Sequence, residues 1–117
     1  MIQFYGYNTC STCIKAKKVL KEAGVDFQDI DITMQPPSKK LLKDIVLSGM
    51  YPLKKLFNTS GQLYRSMNIK EKLPILSESQ AIDLLATHGK LIKRPIITDG
   101  SSYVVGYDES AIRQYFL

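Results

Sequence analysis

The stretch Tyr7-Asn8-Thr9-Cys10-Ser11-Thr12-Cys13 carries both cysteines of the chain; a short apolar run, Ile2 to Tyr5, precedes it, and a helical pattern from about Ser11 to Ala23 follows at once. A strand that turns directly into a helix puts the turn at the helix N-terminus, where unpaired N–H groups and the positive end of the macrodipole favour an anion. A thiol placed there becomes a thiolate near neutral pH. Position separates the two sulfurs. Cys10 falls in the loop ahead of the helix and is exposed, whereas Cys13 falls in the first turn and is more enclosed. Cys10 is therefore expected as the nucleophile and Cys13 as the resolving thiol. Lys15, Lys17, Lys18 and Lys21 share the helix with only Glu22 against them, so their field is expected to lower the Cys10 pKa further.

Two other readings stand beside the redox pair: an incidental structural pair and half of a zinc site. A disulfide across two intervening residues closes too short a loop to stabilise much. Zinc takes four ligands, and the chain offers only one histidine, His88, beyond the two cysteines. No metal is expected. His88 stands where a helix should end, a place that suits capping better than catalysis. Tyr7, Asn8 and Thr9 flank the sulfurs as lining or as ordinary loop residues. Ser11 and Thr12 are expected to cap the helix or support the cysteines.

Outward from the motif, the helix places Ile14, Val19, Leu20 and Ala23 in one apolar stripe, and a second strand follows from roughly Phe27 to Ile30. Strand, helix and strand at this length imply a right-handed crossover and a parallel pair. Beyond Pro36 and Pro37, Ser38 caps a helix to Leu47 that buries Leu41, Leu42, Ile45 and Val46. Residues 50–74 read as short helices. Ser77 and Gln80 form a capping box for a helix to His88, which Gly89 closes. Strands on either side of Asp99-Gly100-Ser101-Ser102 make a β-hairpin, and Asp108 caps a last helix, Glu109 to Phe116.

At 117 residues the chain is expected to be one domain over 1–117, with a helical insertion at about 38–89. The composition, 44% hydrophobic and 23% charged, is that of a globular protein. With no apolar run near 18 residues and no signal peptide, a cytoplasmic location without membrane contact is expected. The net charge of +5 comes from 13 lysines and three arginines spread along the chain. No arginine-rich helix or basic-aromatic interleaving accompanies it, so direct DNA binding is not expected. A monomer is.

Tyr5, Cys10-Ser11-Thr12-Cys13 with Lys15 and Ala16 after it, and Arg94-Pro95-Ile96 near the end, set in strand–helix–strand, helical insertion, hairpin and helix, resemble the thioredoxin fold. More narrowly the chain resembles the ArsC/Spx superfamily: glutaredoxin-coupled arsenate reductases, Spx and MgsR regulators, and small arsenate-reductase-like proteins. The resemblance covers nearly the whole chain. It implies an α/β, glutaredoxin-like fold with a mixed sheet of about four strands and flanking helices. It implies a cis Pro95 beside the dithiol, in a position that binds peptide or glutathione, and an Arg94 that points toward Cys10 to stabilise its thiolate or bind an anion. The alternative for Arg94 is a surface ion pair with Asp99. Of the three arginines that arsenate reductases of the superfamily place around the cysteine, only Arg94 matches; Ser60 stands at the first position, with Arg65 close enough to substitute, and the last falls near Val105 or Gly106. Spx-like regulators share the cysteine pair, but Pro52 replaces a glycine of their polymerase-facing surface and the chain stops at Leu117 without their charged extension.

Three functions follow. The first is a thiol–disulfide oxidoreductase or redox sensor without a bound cofactor, using glutathione as cosubstrate or a glutaredoxin or thioredoxin system as reductant, and an oxidised protein as partner. The second is an Spx/MgsR-like regulator whose dithiol switches binding to the RNA polymerase alpha subunit. The third is a glutaredoxin-coupled arsenate reductase.

Overall fold

The computed structural model describes residues 1–117, which divide into two compact units: residues 1–31 with 94–117, and residues 32–93. The first unit holds all four strands, β1 (Ile2–Gly6), β2 (Phe27–Asp31), β3 (Ile96–Thr98) and β4 (Tyr103–Val105), in the order β2-β1-β3-β4. β1 pairs parallel with β2 and antiparallel with β3, and β3 pairs antiparallel with β4. Helix α1 (Ser11–Glu22) makes the crossover from β1 to β2, and α6 (Glu109–Phe116) follows the hairpin. This is the mixed sheet with flanking helices that the thioredoxin-like reading anticipates.

Register decides what the sheet buries. Phe4 stands opposite Ile97, and Ile97 opposite Val104, so one face carries an apolar row across three strands. Cys13, Ala16, Val19 and Leu20 of α1 and Ile112 of α6 complete that core. Truncating a residue such as Leu20 to alanine typically costs about 2–5 kcal/mol.

The stripe on α1 differs from the expected one. Ile14 is 54% exposed and Ala23 is exposed as well. The buried positions 13, 16 and 20 recur at helical spacing, and Cys13, read from sequence as a chemical group, is also the apolar residue on which the helix is phased. Residue 14 lies about 100° around the helix from it.

The second unit is helical. Its elements are α2 (Lys39–Leu47), α3 (Gln62–Ser66), α4 (Ile69–Lys72) and α5 (Glu78–Thr87), with single 3₁₀ turns at Leu53–Leu56, Leu73–Ile75 and Gly89–Leu91. α2 packs on α5 through buried Leu42, Ile45, Ala81, Ile82 and Leu85; Leu41, Val46 and Leu84, expected inside, are half-buried. Ser77 and Gln80 form the reciprocal capping box of α5. Gly89 does not end α5 as a left-handed cap. It lies against the backbone of Ile32 so closely that a Cβ would collide with the Ile32 carbonyl, which makes it a packing glycine.

Candidate functional site

β1 ends at Gly6, and within the next four residues the backbone enters α1 with Cys10 at its N-cap. Cys10 is extended there (φ −78°, ψ 119°) and makes no side-chain cap hydrogen bond, and the first turn carries no acidic residue. The other long helices start differently: Ser38, Ser77 and Asp108 each accept a hydrogen bond from a backbone N–H of the first turn. Only at α1 does a sulfur stand where the capping oxygen normally is.

Both cysteines are free thiols; Cys10 is half-buried and Cys13 fully buried. Burial pushes the Cys10 thiol up. The Cys13 thiol, the Thr12 hydroxyl, the Cys13 backbone and the Arg94 side chain outweigh that and lower it from 9.0 to about 7. Cys13 goes the other way, to about 12, first through burial, then through its hydrogen bond with Cys10 and the Cys10 charge; the Tyr7 backbone and the Arg94 charge pull against that rise. The outer sulfur thus gives up its proton far more readily than its neighbour. The α1 lysines are not among the largest causes that act on Cys10. Lys17 is committed to Asp29 at 2.6 Å, and Lys18 reaches Glu22 only at 3.9 Å. Hydrogen bonds and one arginine are the main causes that lower the Cys10 thiol.

Thr12 ties Cys10 to the segment that leads into β3. Its Oγ1 lies 3.1 Å from Cys10 Sγ and donates to the Arg94 carbonyl at 3.2 Å. One hydroxyl proton serves two acceptors: when Cys10 is a thiol, its S–H donates to Thr12, and when Cys10 is a thiolate, the Thr12 O–H is drawn to the sulfur. The Arg94–Pro95 peptide is cis, and the Pro95 carbonyl accepts from Gly106 N–H at 2.8 Å.

The Arg94 guanidinium stacks on the Tyr7 ring, 4.3 Å from its centroid. Its Nε is buried without a hydrogen-bond partner. A buried, unpaired cationic donor beside a thiolate costs free energy unless an anion accepts from it. The pairing of Arg94 with Asp99 does not form; Asp99 Oδ1 accepts instead from Ser101 and Ser102 N–H at 2.9 and 2.8 Å.

The remaining expected residues are dispersed. Asn8 accepts from Lys17 Nζ at 3.4 Å, Thr9 and Ser11 are exposed at the start of α1, and Arg65 is exposed on α3 in the second unit. Two residues escaped the sequence reading. A Cβ on Gly6 would stand 2.7 Å from Cys13 Sγ and 3.0 Å from the Phe4 ring, so glycine is what admits the second sulfur. A glycine closing a strand just ahead of Cys-x-x-Cys is the signal that points to it. Tyr7 was read as a flanking residue, yet it is the platform for Arg94, which no local pattern reveals.

The ArsC family model matches residues 5–115. The protein YusI of Bacillus subtilis (strain 168) is 48% identical over 97% of this chain and 96% of its own length. The crystal structure of a possible arsenate reductase from Streptococcus mutans UA159 superposes with a TM-score of 0.85 at 44% identity, covering 92% of this chain and 91% of that one. The global transcriptional regulator Spx of Streptococcus pyogenes serotype M1 is 30% identical over 98% of this chain and 84% of its own. No helix is long and apolar enough to cross a membrane.

Proposed function

Taking as premise that this chain belongs to the ArsC family, we propose that it is a thiol–disulfide redox protein in which Cys10 attacks and Cys13 resolves. The observation that carries this reading is the unlike placement of the two sulfurs: Cys10 stands half-buried at the N-cap of α1 with no side-chain cap hydrogen bond, which goes with a lowered thiol pKa, whereas Cys13 is fully buried and its thiol is pushed up. In the first step the Cys10 thiolate attacks one sulfur of an oxidised partner. The Cys10–partner bond forms as the partner disulfide breaks, and the expelled sulfur leaves as a thiolate that takes a proton from water.

The second step follows from what holds Cys13 up. Once Cys10 is joined to the partner it has neither charge nor proton to share, so two of the three causes that raise Cys13 disappear. The Arg94 charge and the Tyr7 backbone, which lower it, remain. Burial still holds Cys13 up, but less opposes its ionisation once Cys10 has reacted: Cys13 attacks Cys10 Sγ, the Cys10–partner bond breaks, and the expelled partner thiolate takes up the proton that Cys13 gives up. Two electrons pass from the dithiol to the partner, and an external thiol, glutathione or a glutaredoxin or thioredoxin system, returns them to the Cys10–Cys13 disulfide.

Incubation of Cys13→Ser with oxidised glutathione tests this. The expected product is a stable one-to-one adduct at Cys10, seen as a mass increase and absent from Cys10→Ser; the same adduct yield in Cys10→Ser removes the assignment.

Two other readings have their own support. The identity with Spx along most of the chain favours a redox-sensing regulator that binds the RNA polymerase alpha subunit, and co-purification with that subunit in one redox state only is its test. The unpaired Arg94 Nε favours an oxyanion. Arsenate-dependent consumption of glutathione is the test there.

A further inference from the structure

We propose that the outer face of α1, running from Cys10 through Ile14, Lys18 and Lys21, docks an acidic segment that flanks the oxidised cysteine of a protein partner; the inference rests on the dithiol chemistry proposed above. Residues 14, 18 and 21 recur at four- and three-residue spacing and so share one face of the helix, turned away from buried Ala16 and Leu20. Ile14 is the residue that breaks the pattern of α1. It is 54% exposed one turn after the nucleophile, and with Asn8, Lys17, Lys18, Lys21 and Glu22 it lines a hollow of about 440 Å³. An isoleucine left outside the core contributes little to folding, but at the mouth of a reactive site it offers an apolar anchor.

The charge on the face selects the occupant. Lys17 is neutralised by Asp29 at 2.6 Å. Lys18 has only a 3.9 Å exposed contact with Glu22, worth little in water, and Lys21 has no carboxylate partner. Arg94 adds a further cation at the sulfur. Against these cations Glu22 is the one carboxylate lining the hollow, so the face stays net positive, attracting a segment that carries carboxylates and repelling a basic one. With a net charge of +5 on the chain, a second copy is a poor fit for the same face. At 1.5 Å per residue Lys21 lies about 16 Å along the helix from Cys10, the span of about five residues of extended peptide.

The test uses two synthetic peptides, each with one cysteine activated as a mixed disulfide with 2-thiopyridine, one flanked by Glu and Leu and the other by Lys and Leu, together with neutral 2,2′-dithiodipyridine. Release of pyridine-2-thione reports attack by Cys10. At about 20 mM ionic strength the acidic peptide is expected to react roughly tenfold faster than the basic one, with the ratio shrinking at about 0.5 M salt. In Ile14→Ser/Lys18→Glu/Lys21→Glu the ratio should fall below about two while the neutral disulfide reacts as before. Equal rates for the two peptides, or a ratio that survives in the variant, overturns the docking face. A preference that disappears as protein concentration is raised assigns the face to a second copy and overturns it too. Failure of the neutral disulfide to react at all defeats the dithiol reading instead.

Discussion

The starts of α1 and α5 are built from similar material to opposite ends. α5 begins with Ser77, whose Oγ accepts from Gln80 N–H at 3.1 Å while Gln80 Oε1 accepts from Ser77 N–H at 2.9 Å, with Glu78 in the first turn facing the macrodipole. α1 begins with Cys10, has no cap hydrogen bond, and carries no acid in its first turn. At α5 the unpaired donors of the helix end are satisfied by the chain itself, and the end is inert. At α1 they face a sulfur, a weak acceptor as a thiol and a strong one once it has lost its proton. A helix N-terminus is thus either stabilising or reactive according to whether its cap is a permanent acceptor.

That contrast breaks most visibly at Cys10. Cys10→Ser is expected to abolish mixed-disulfide formation altogether while raising stability by about 0.5–1 kcal/mol, because serine caps where the thiol does not; paired activity assays and urea melts read both. If the variant is destabilised, the cap comparison is wrong even where the chemistry is right. Ser77→Ala reverses the outcome: a loss of about 1 kcal/mol by urea melt, with the rate of Cys10 alkylation untouched.

A pH series sharpens the comparison further. The folded Cys10 sits near 7 against an ordinary 9.0, so between pH 7 and 9 the unfolded chain holds a proton that the folded one has lost, and stability rises with pH. Above pH 9 the raised Cys13 works in reverse, its contribution falling as pH climbs toward 12. The unfolding free energy of the parent relative to Cys10→Ser, from urea melts, should therefore increase from pH 7 to 9, by under about 1 kcal/mol because the Cys10 sulfur is partly in solvent. A flat difference means the thiolate is not held by the fold. The smallest effect belongs to Thr12→Val, which removes one hydroxyl from the sulfur. Its Cys10 pKa should move up from about 7, seen as a roughly threefold slower alkylation at pH 6.

Much of this architecture was legible along the chain. Cys10 and Cys13, Ser77 with Gln80, and Asp108 are local signals: each acts on the backbone within a few residues of itself, so pattern and geometry coincide. What could not be read locally was the phase of α1. Ile14 looks like core because it is apolar, but the helix is turned by Cys13, whose burial depends on the space that Gly6 leaves. The origin of the lowered Cys10 pKa was legible in part. The resemblance implied Arg94, which does lower it, whereas the hydrogen bonds from Thr12 and Cys13 were not foreseen and Lys17, expected to add its charge, has a carboxylate on β2 to pair with.

By itself the sequence determined the order of strands and helices, the placement of the dithiol at a helix start, and the ranking of an outer and an inner sulfur, because these depend on neighbours within one or two turns. Only the tertiary structure decided how far apart the two sulfurs titrate, that Thr12 bridges Cys10 to the Arg94 carbonyl, and that Arg94 rests on Tyr7 with Nε unpaired. Those depend on burial and on contacts between residues more than eighty positions apart. Desolvation and long-range hydrogen bonds exist only once the chain has closed on itself.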